Sequence, residues 1–119
     1  MRDLGIFFIV GVSFAEGSLS VAIDGKASTT KSIEFSSQEA FQCFRESDFH
    51  PIAPQYGLEA FTERHQGDCG IFRVVHSPFY DFFVKANGRH LEVMPSCYLI
   101  STPDERVEVI SFDEPLLLD

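Results

Sequence analysis

The sequence contains no tryptophan and only 2 methionines, and its 9 Lys and Arg are outnumbered by 18 Asp and Glu. A formal charge of −9 argues against a groove that tracks nucleic-acid backbone, because such a groove needs a surplus of basic side chains. It also argues against docking on anionic lipid. What it favours is a basic protein partner, or solubility alone. No apolar run reaches the roughly 20 residues that span a bilayer as a helix. No glycine-rich phosphate loop is present, since Gly5 to Gly11 has neither the GxGxxG spacing nor a Gly-Lys-Ser/Thr. There is no CxxC pair. The three cysteines, Cys43, Cys69 and Cys97, are an odd number that cannot all pair within one chain, so reduced thiols and a cytoplasmic location are expected. Repeats, low-complexity tracts and linkers are also missing.

Phenylalanine is abundant: 13 of 119 residues, in a chain that is 45% hydrophobic. That composition predicts a packed, aromatic-rich core in a single globular domain over 1–119. Leu4 to Ala15 is almost unbroken apolar sequence. Ser13-Phe14-Ala15 has the form of a signal-peptidase site, but Arg2 is offset by Asp3 and a 15-residue leader is at the lower limit of length. Gly5 to Phe14 is therefore expected to be a central strand, shielded on both faces.

Ala15 to Ser18 is turn chemistry, and Leu19 to Ile23 alternates as a half-buried strand does. Asp24-Gly25 turns the chain. Ser32 to Phe35 is a short strand with Ile33 and Phe35 on one side. Ser36 with Glu39 fits a capping box, and Ala40, Phe41 and Phe44 share a helical face, so a short helix is favoured across 38–46. The alternation of Phe41, Cys43 and Arg45 fits a strand instead. Phe49 to Gly57, with Pro51 and Pro54, is loop. Leu58 to His65 suggests one or two helical turns, and Gly70 to His76 a strand. Ser77-Pro78 opens a helix that Asn87-Gly88 stops, with Phe79, Phe82 and Phe83 on one face. Leu91 to Val93 is extended. Cys97 to Ser101 and Arg106 to Phe112 form a hairpin around Thr102-Pro103-Asp104-Glu105. The fold class implied is α+β: mainly antiparallel sheet with one to three short helices.

The sharpest local string is Gln66-Gly67-Asp68-Cys69-Gly70-Ile71-Phe72. It resembles the nucleophile segment of SUMO-protease-type cysteine proteases. That resemblance gives the nucleophile's role to Cys69 and an oxyanion donor's role to Gln66, with His50 and His65 as the nearest upstream bases. The spacing from Gln66 to Cys69 is shorter than in that family, and Ile71 to Val75 looks extended where a helix should begin. A tight turn leading into a strand explains the same string. His65, Cys69 and His76 fall one ligand short of a structural zinc site. No cofactor and no metal are implied.

Charge is concentrated near the C-terminus. Asp104, Glu105, Glu108, Asp113, Glu114 and Asp119 are set against the single base Arg106. Tyr98, Leu99, Ile110, Phe112, Pro115 and Leu116 are interleaved with them as apolar anchors. Such a surface raises the association rate with a basic partner. Solvated charge that protects a sheet edge from aggregation is the plainer alternative.

Two segments resemble the small bacterial immunity proteins encoded beside polymorphic toxins. One is Ile33-Glu34-Phe35 with Phe41, Phe44-Arg45 and Asp48. The other is Tyr98 to Thr102 with Val107 to Ser111 and Glu114-Pro115. The resemblance implies a cytoplasmic, monomeric or homodimeric inhibitor that binds a cognate toxin, or another basic protein, and performs no chemistry. Its contact residues would be Asp104, Glu105, Glu108, Asp113, Glu114, Tyr98 and Phe112. Two alternatives stay open: a cysteine hydrolase using Cys69, and an acidic nucleic-acid mimic drawing on Glu34, Glu46, Asp48, Glu59 and Glu63.

Overall fold

Alternating apolar residues need two surfaces to bury against, and this chain supplies them as two stacked sheets. The computed structural model describes residues 5–26, 29–45, 57–61, 69–87 and 92–119. The elements are β1 (Phe8–Ala15), β2 (Ser18–Asp24), β3 (Ser32–Phe35), β4 (Gln38–Arg45), β5 (Leu58–Ala60), β6 (Gly70–Val74), α1 (Pro78–Asn87), β7 (Ser96–Ser101), β8 (Glu105–Ser111) and β9 (Leu116–Leu118). One sheet runs β1-β2-β3-β9 and the other β4-β8-β7-β6-β5, with every pairing antiparallel. The radius of gyration, 13.6 Å, matches the ~13.5 Å of a compact chain this long.

The inner faces meet over Leu19, Val21, Ile23, Ile33 and Phe35 from the first sheet and Ile71, Tyr98, Ile100, Val107 and Val109 from the second. Tyr98 is gripped between Phe35 and Phe61, each ring centroid 5.9 Å away. Residues of opposite parity in the second sheet, Phe72, Val74, Cys97, Leu99 and Ile110, pack under Phe79, Tyr80 and Phe83 of α1. That sheet is therefore covered on both faces, and its strands cannot read as simple apolar-polar alternation.

The expected hairpin is β7–β8, and the α+β class holds. Several expectations are corrected. Residues 38–45 form β4, paired along β8 from Ser111 to Glu105. Ser36 and Ser37 form a turn and cap no helix. Phe41 packs into the inner core while Ala40 and Phe44 face the α1 side, so apolar residues on both faces of one strand imitate helical spacing. Leu58 to Ala60 is strand rather than helix, and Glu92-Val93 is a bend. β9 was not expected. Its leucines pair with Ser32 to Glu34 and close the edge of the first sheet.

β1 is an edge strand, not a central one. Phe8, Val10, Val12 and Phe14 are all exposed. In α1, Phe79 and Phe83 pack on the sheet but Phe82 is 73% exposed. Ser77 caps the helix as expected, its Oγ accepting from the Tyr80 amide at 3.1 Å. Gly88, the expected stop, lies outside the described residues, as does most of the 49–57 loop. No helix among the described residues is long and apolar enough to cross a membrane.

Candidate functional site

Three chain reversals converge at one end of the stacked sheets. Glu16-Gly17 is a two-residue turn with φ of 51° and 80°, so both residues are left-handed, as a type I′ hairpin demands. Gly17 meets this geometry without strain. The Gln38 amide donates to the Gly17 carbonyl at 3.0 Å, and the Phe112 amide to the Ser37 carbonyl at 3.1 Å. These bonds hold the β1–β2 turn, the β3–β4 turn and the β8–β9 link together. Residues 16–18, 36–39 and 111–115 contain four acids, Glu16, Glu39, Asp113 and Glu114, and no base. All four acids are exposed.

One of these carboxylates is fixed in place. Asp113 Oδ2 accepts from Ser36 Oγ at 2.6 Å and from Ser37 Oγ at 2.7 Å. The two hydroxyls favour the ionised form and hold the Asp113 carboxyl below its usual range. The Ser111 hydroxyl accepts from the Asp113 amide at 3.1 Å and donates to its carbonyl, so the backbone is fixed too. Beside it Phe112 is 40% exposed, an aromatic surface next to a preset negative charge.

The expected contact residues do not share one face. Asp113, Glu114 and Phe112 lie at this end. Asp104 and Glu105 lie at the opposite end of β8, roughly 20 Å away for a seven-residue strand. Tyr98 is buried between the sheets. Glu108 is 1% exposed and presents no carboxylate to solvent. Leu99 and Ile110, expected as anchors, are buried as well. Glu16 and Glu39 were not among the expected contact residues, because Glu16 is distant in sequence from the C-terminal charge run and Glu39 was read as half of a capping box. The signal for them was the pair of turns, which a fold must bring together.

Glu108 has an internal role. Its Oε2 accepts from the Ser77 hydroxyl and from the Cys97 thiol at 3.2 Å, and its Oε1 accepts from Gln42 Nε2 at 3.0 Å. Ser77 therefore caps α1 with one lone pair and ties the helix to β8 with its proton. Two positions away on β8, Arg106 is 2% exposed, and its Nε and Nη1 have no hydrogen-bond partner among the described residues. Ser101, its cross-strand neighbour, has an unpartnered buried hydroxyl.

Burial makes both buried thiols, Cys69 and Cys97, harder to ionise than a free thiol. Cys69 is packed in the inner core, where it accepts from the Phe7 amide at 3.4 Å. Burial pushes its pKa up, and the Phe7 bond only partly opposes this. Burial, the Glu108 charge and the bond to Glu108 push Cys97 up further. His76 is exposed, and no hydrogen bond joins a cysteine to a histidine among the described residues. His50, His65 and Gln66 lie outside those residues. No group of three or more metal-ligating side chains occurs among the described residues.

Comparison of the chain with protein-family models, with curated proteins and with solved structures gives no match. The functional reading therefore rests on the site's own geometry.

Proposed function

We propose that this protein is a non-enzymatic inhibitor that binds a basic protein partner through the acidic end built by Glu16, Glu39, Asp113 and Glu114 around Phe112. The finer reading is an immunity protein that neutralises a cognate bacterial toxin. The observation that carries the proposal is the fixed Asp113 carboxylate beside an exposed aromatic ring, in turns that carry four acids and no base of their own. A carboxylate already ordered by two hydroxyls loses little freedom when it meets a lysine or arginine. Phe112 supplies an apolar anchor of the kind that concentrates binding energy. The surrounding acids raise the encounter rate with a cationic surface.

A growth assay tests this reading. The chain is co-expressed with the toxic product of a gene adjacent to its own. The wild type is expected to restore growth, whereas Glu39→Lys/Glu114→Lys with Phe112→Ser, folded and equally abundant, does not. Equal rescue by both chains, or by neither, overturns it.

A further inference from the structure

We propose that the edge of β1 that no strand pairs among the described residues is a self-association surface, along which two copies of this chain pair antiparallel about a two-fold axis near Val12. This goes beyond the reading above and does not depend on it.

The geometry of the β1–β2 hairpin places the unpaired groups. Across a two-residue turn the closing pair, Ala15 and Ser18, exchanges both backbone hydrogen bonds, and such pairs then alternate along the strands. Ser13 with Ser20 and Gly11 with Ala22 are the next bonded pairs. Val12 and Phe14 therefore direct their N–H and C=O away from β2, toward the free edge. Their side chains lie on the core side, opposite Val21 and Leu19, which are both fully buried. Phe14 is nonetheless 55% exposed, because the core ends there. Its only ring neighbour among the described residues is Phe41 of β4, 6.1 Å away. The apolar interior thus runs out to the surface along β1.

Sheet edges are normally guarded by charge, proline or distortion. Gly5 to Ala15 contains neither a charged residue nor a proline. Its one irregularity is a bulge at Val10, itself 64% exposed. Val12 and Phe14 are exposed on the core side of the strand and Phe8, opposite Asp24, on its other face, so apolar side chains flank the edge on both sides.

Charge selects the occupant. A basic partner is drawn to the acidic end, not to a neutral strip. In a chain of net charge −9, a strip without charge is where two copies meet with least repulsion. Antiparallel pairing about Val12 sends the two Glu16 residues in opposite directions, about 25 Å apart. That separation exceeds the ~8 Å screening length at physiological salt. Parallel pairing would set them side by side. Two such strips bury area at the low end of specific interfaces, so the dimer is reversible and fills as concentration rises.

Sedimentation equilibrium and amide hydrogen exchange test the proposal together. The expected mass is 13.4 kDa in dilute solution and approaches twice that at about 0.5 mM. The Val12 and Phe14 amides should gain protection only in the concentrated sample. Val12→Lys sets two ammonium groups against each other across the axis, and should weaken association at least tenfold with circular dichroism unchanged. If Val12→Lys does not fold, Val10→Lys at the exposed bulge serves in its place. A wild-type chain that stays monomeric, a dimer that survives the lysine, or protection that develops elsewhere overturns the proposal.

Discussion

The thiol of Cys97 donates to Oε2 of Glu108 at 3.2 Å, beneath α1 on the outer face of the second sheet. Carboxyl oxygens this deep need hydrogen-bond partners in place of water, and Ser77 and Gln42 complete the set. The helix cap, the β4 edge and the β7–β8 hairpin are joined through this one side chain.

Removing that carboxylate should therefore loosen α1. Glu108→Ala leaves the Ser77, Cys97 and Gln42 donors without an acceptor, and is expected to cost about 2–4 kcal/mol in urea denaturation. Glu108→Gln keeps the shape and most of the acceptor capacity, and should cost clearly less. Equal losses in the two variants would mean that Glu108 does not organise these donors.

Arg106 should respond in the opposite direction. Its guanidinium is buried with two nitrogens unpartnered among the described residues, so its desolvation is uncompensated there. Arg106→Met removes that cost at similar volume and should raise stability by about 1–2 kcal/mol. A destabilised Arg106→Met chain would show that the guanidinium is a net contributor.

The two phenylalanines at positions 82 and 83 should behave differently. Phe83 packs on the sheet while Phe82 points to solvent. Phe83→Ala should cost about 2 kcal/mol. Phe82→Ala should stay within ~0.5 kcal/mol of the wild type, measured by thermal and urea unfolding.

Stability should fall at both pH extremes, for reasons of known sign. The Cys97 thiol is raised in the folded chain, so its contribution is full below the ordinary thiol value of 9.0. Above that pH the unfolded chain ionises and the folded chain does not, and the contribution is lost. The raised Cys43, Cys69, Tyr80 and Tyr98 act in the same direction. Asp113 is lowered, so its contribution is present above the ordinary value of 3.8 and lost as pH falls below it. Urea midpoints from pH 3 to 10.5 check both limbs. Cys97→Ser should flatten the alkaline limb, and Asp113→Asn the acid one.

Some of this was readable from residues alone. The β7–β8 hairpin, β2, β3 and the Ser77 cap follow from alternation, turn residues and capping chemistry. β4 was misread because Phe41 serves one face of its sheet and Phe44 the other. β1 was placed at the centre because a charge-free apolar run looks the same in a core and at an unguarded edge. In Glu108 the clue lay in parity: it shares a face with Ile110 and is flanked by Val107 and Val109, which fits a strand covered on both sides. The acidic end was half visible. Asp113 and Glu114 stand in the C-terminal charge run, but only the convergence of three turns adds Glu16 and Glu39.

The most direct test of the central claim is the rate at which a basic partner, captured on the wild-type chain, associates with it as ionic strength is raised. The account predicts a steep fall with salt and an association rate at least tenfold lower for Glu39→Lys/Glu114→Lys, with dissociation little changed. An association rate indifferent to both salt and charge reversal would contradict it.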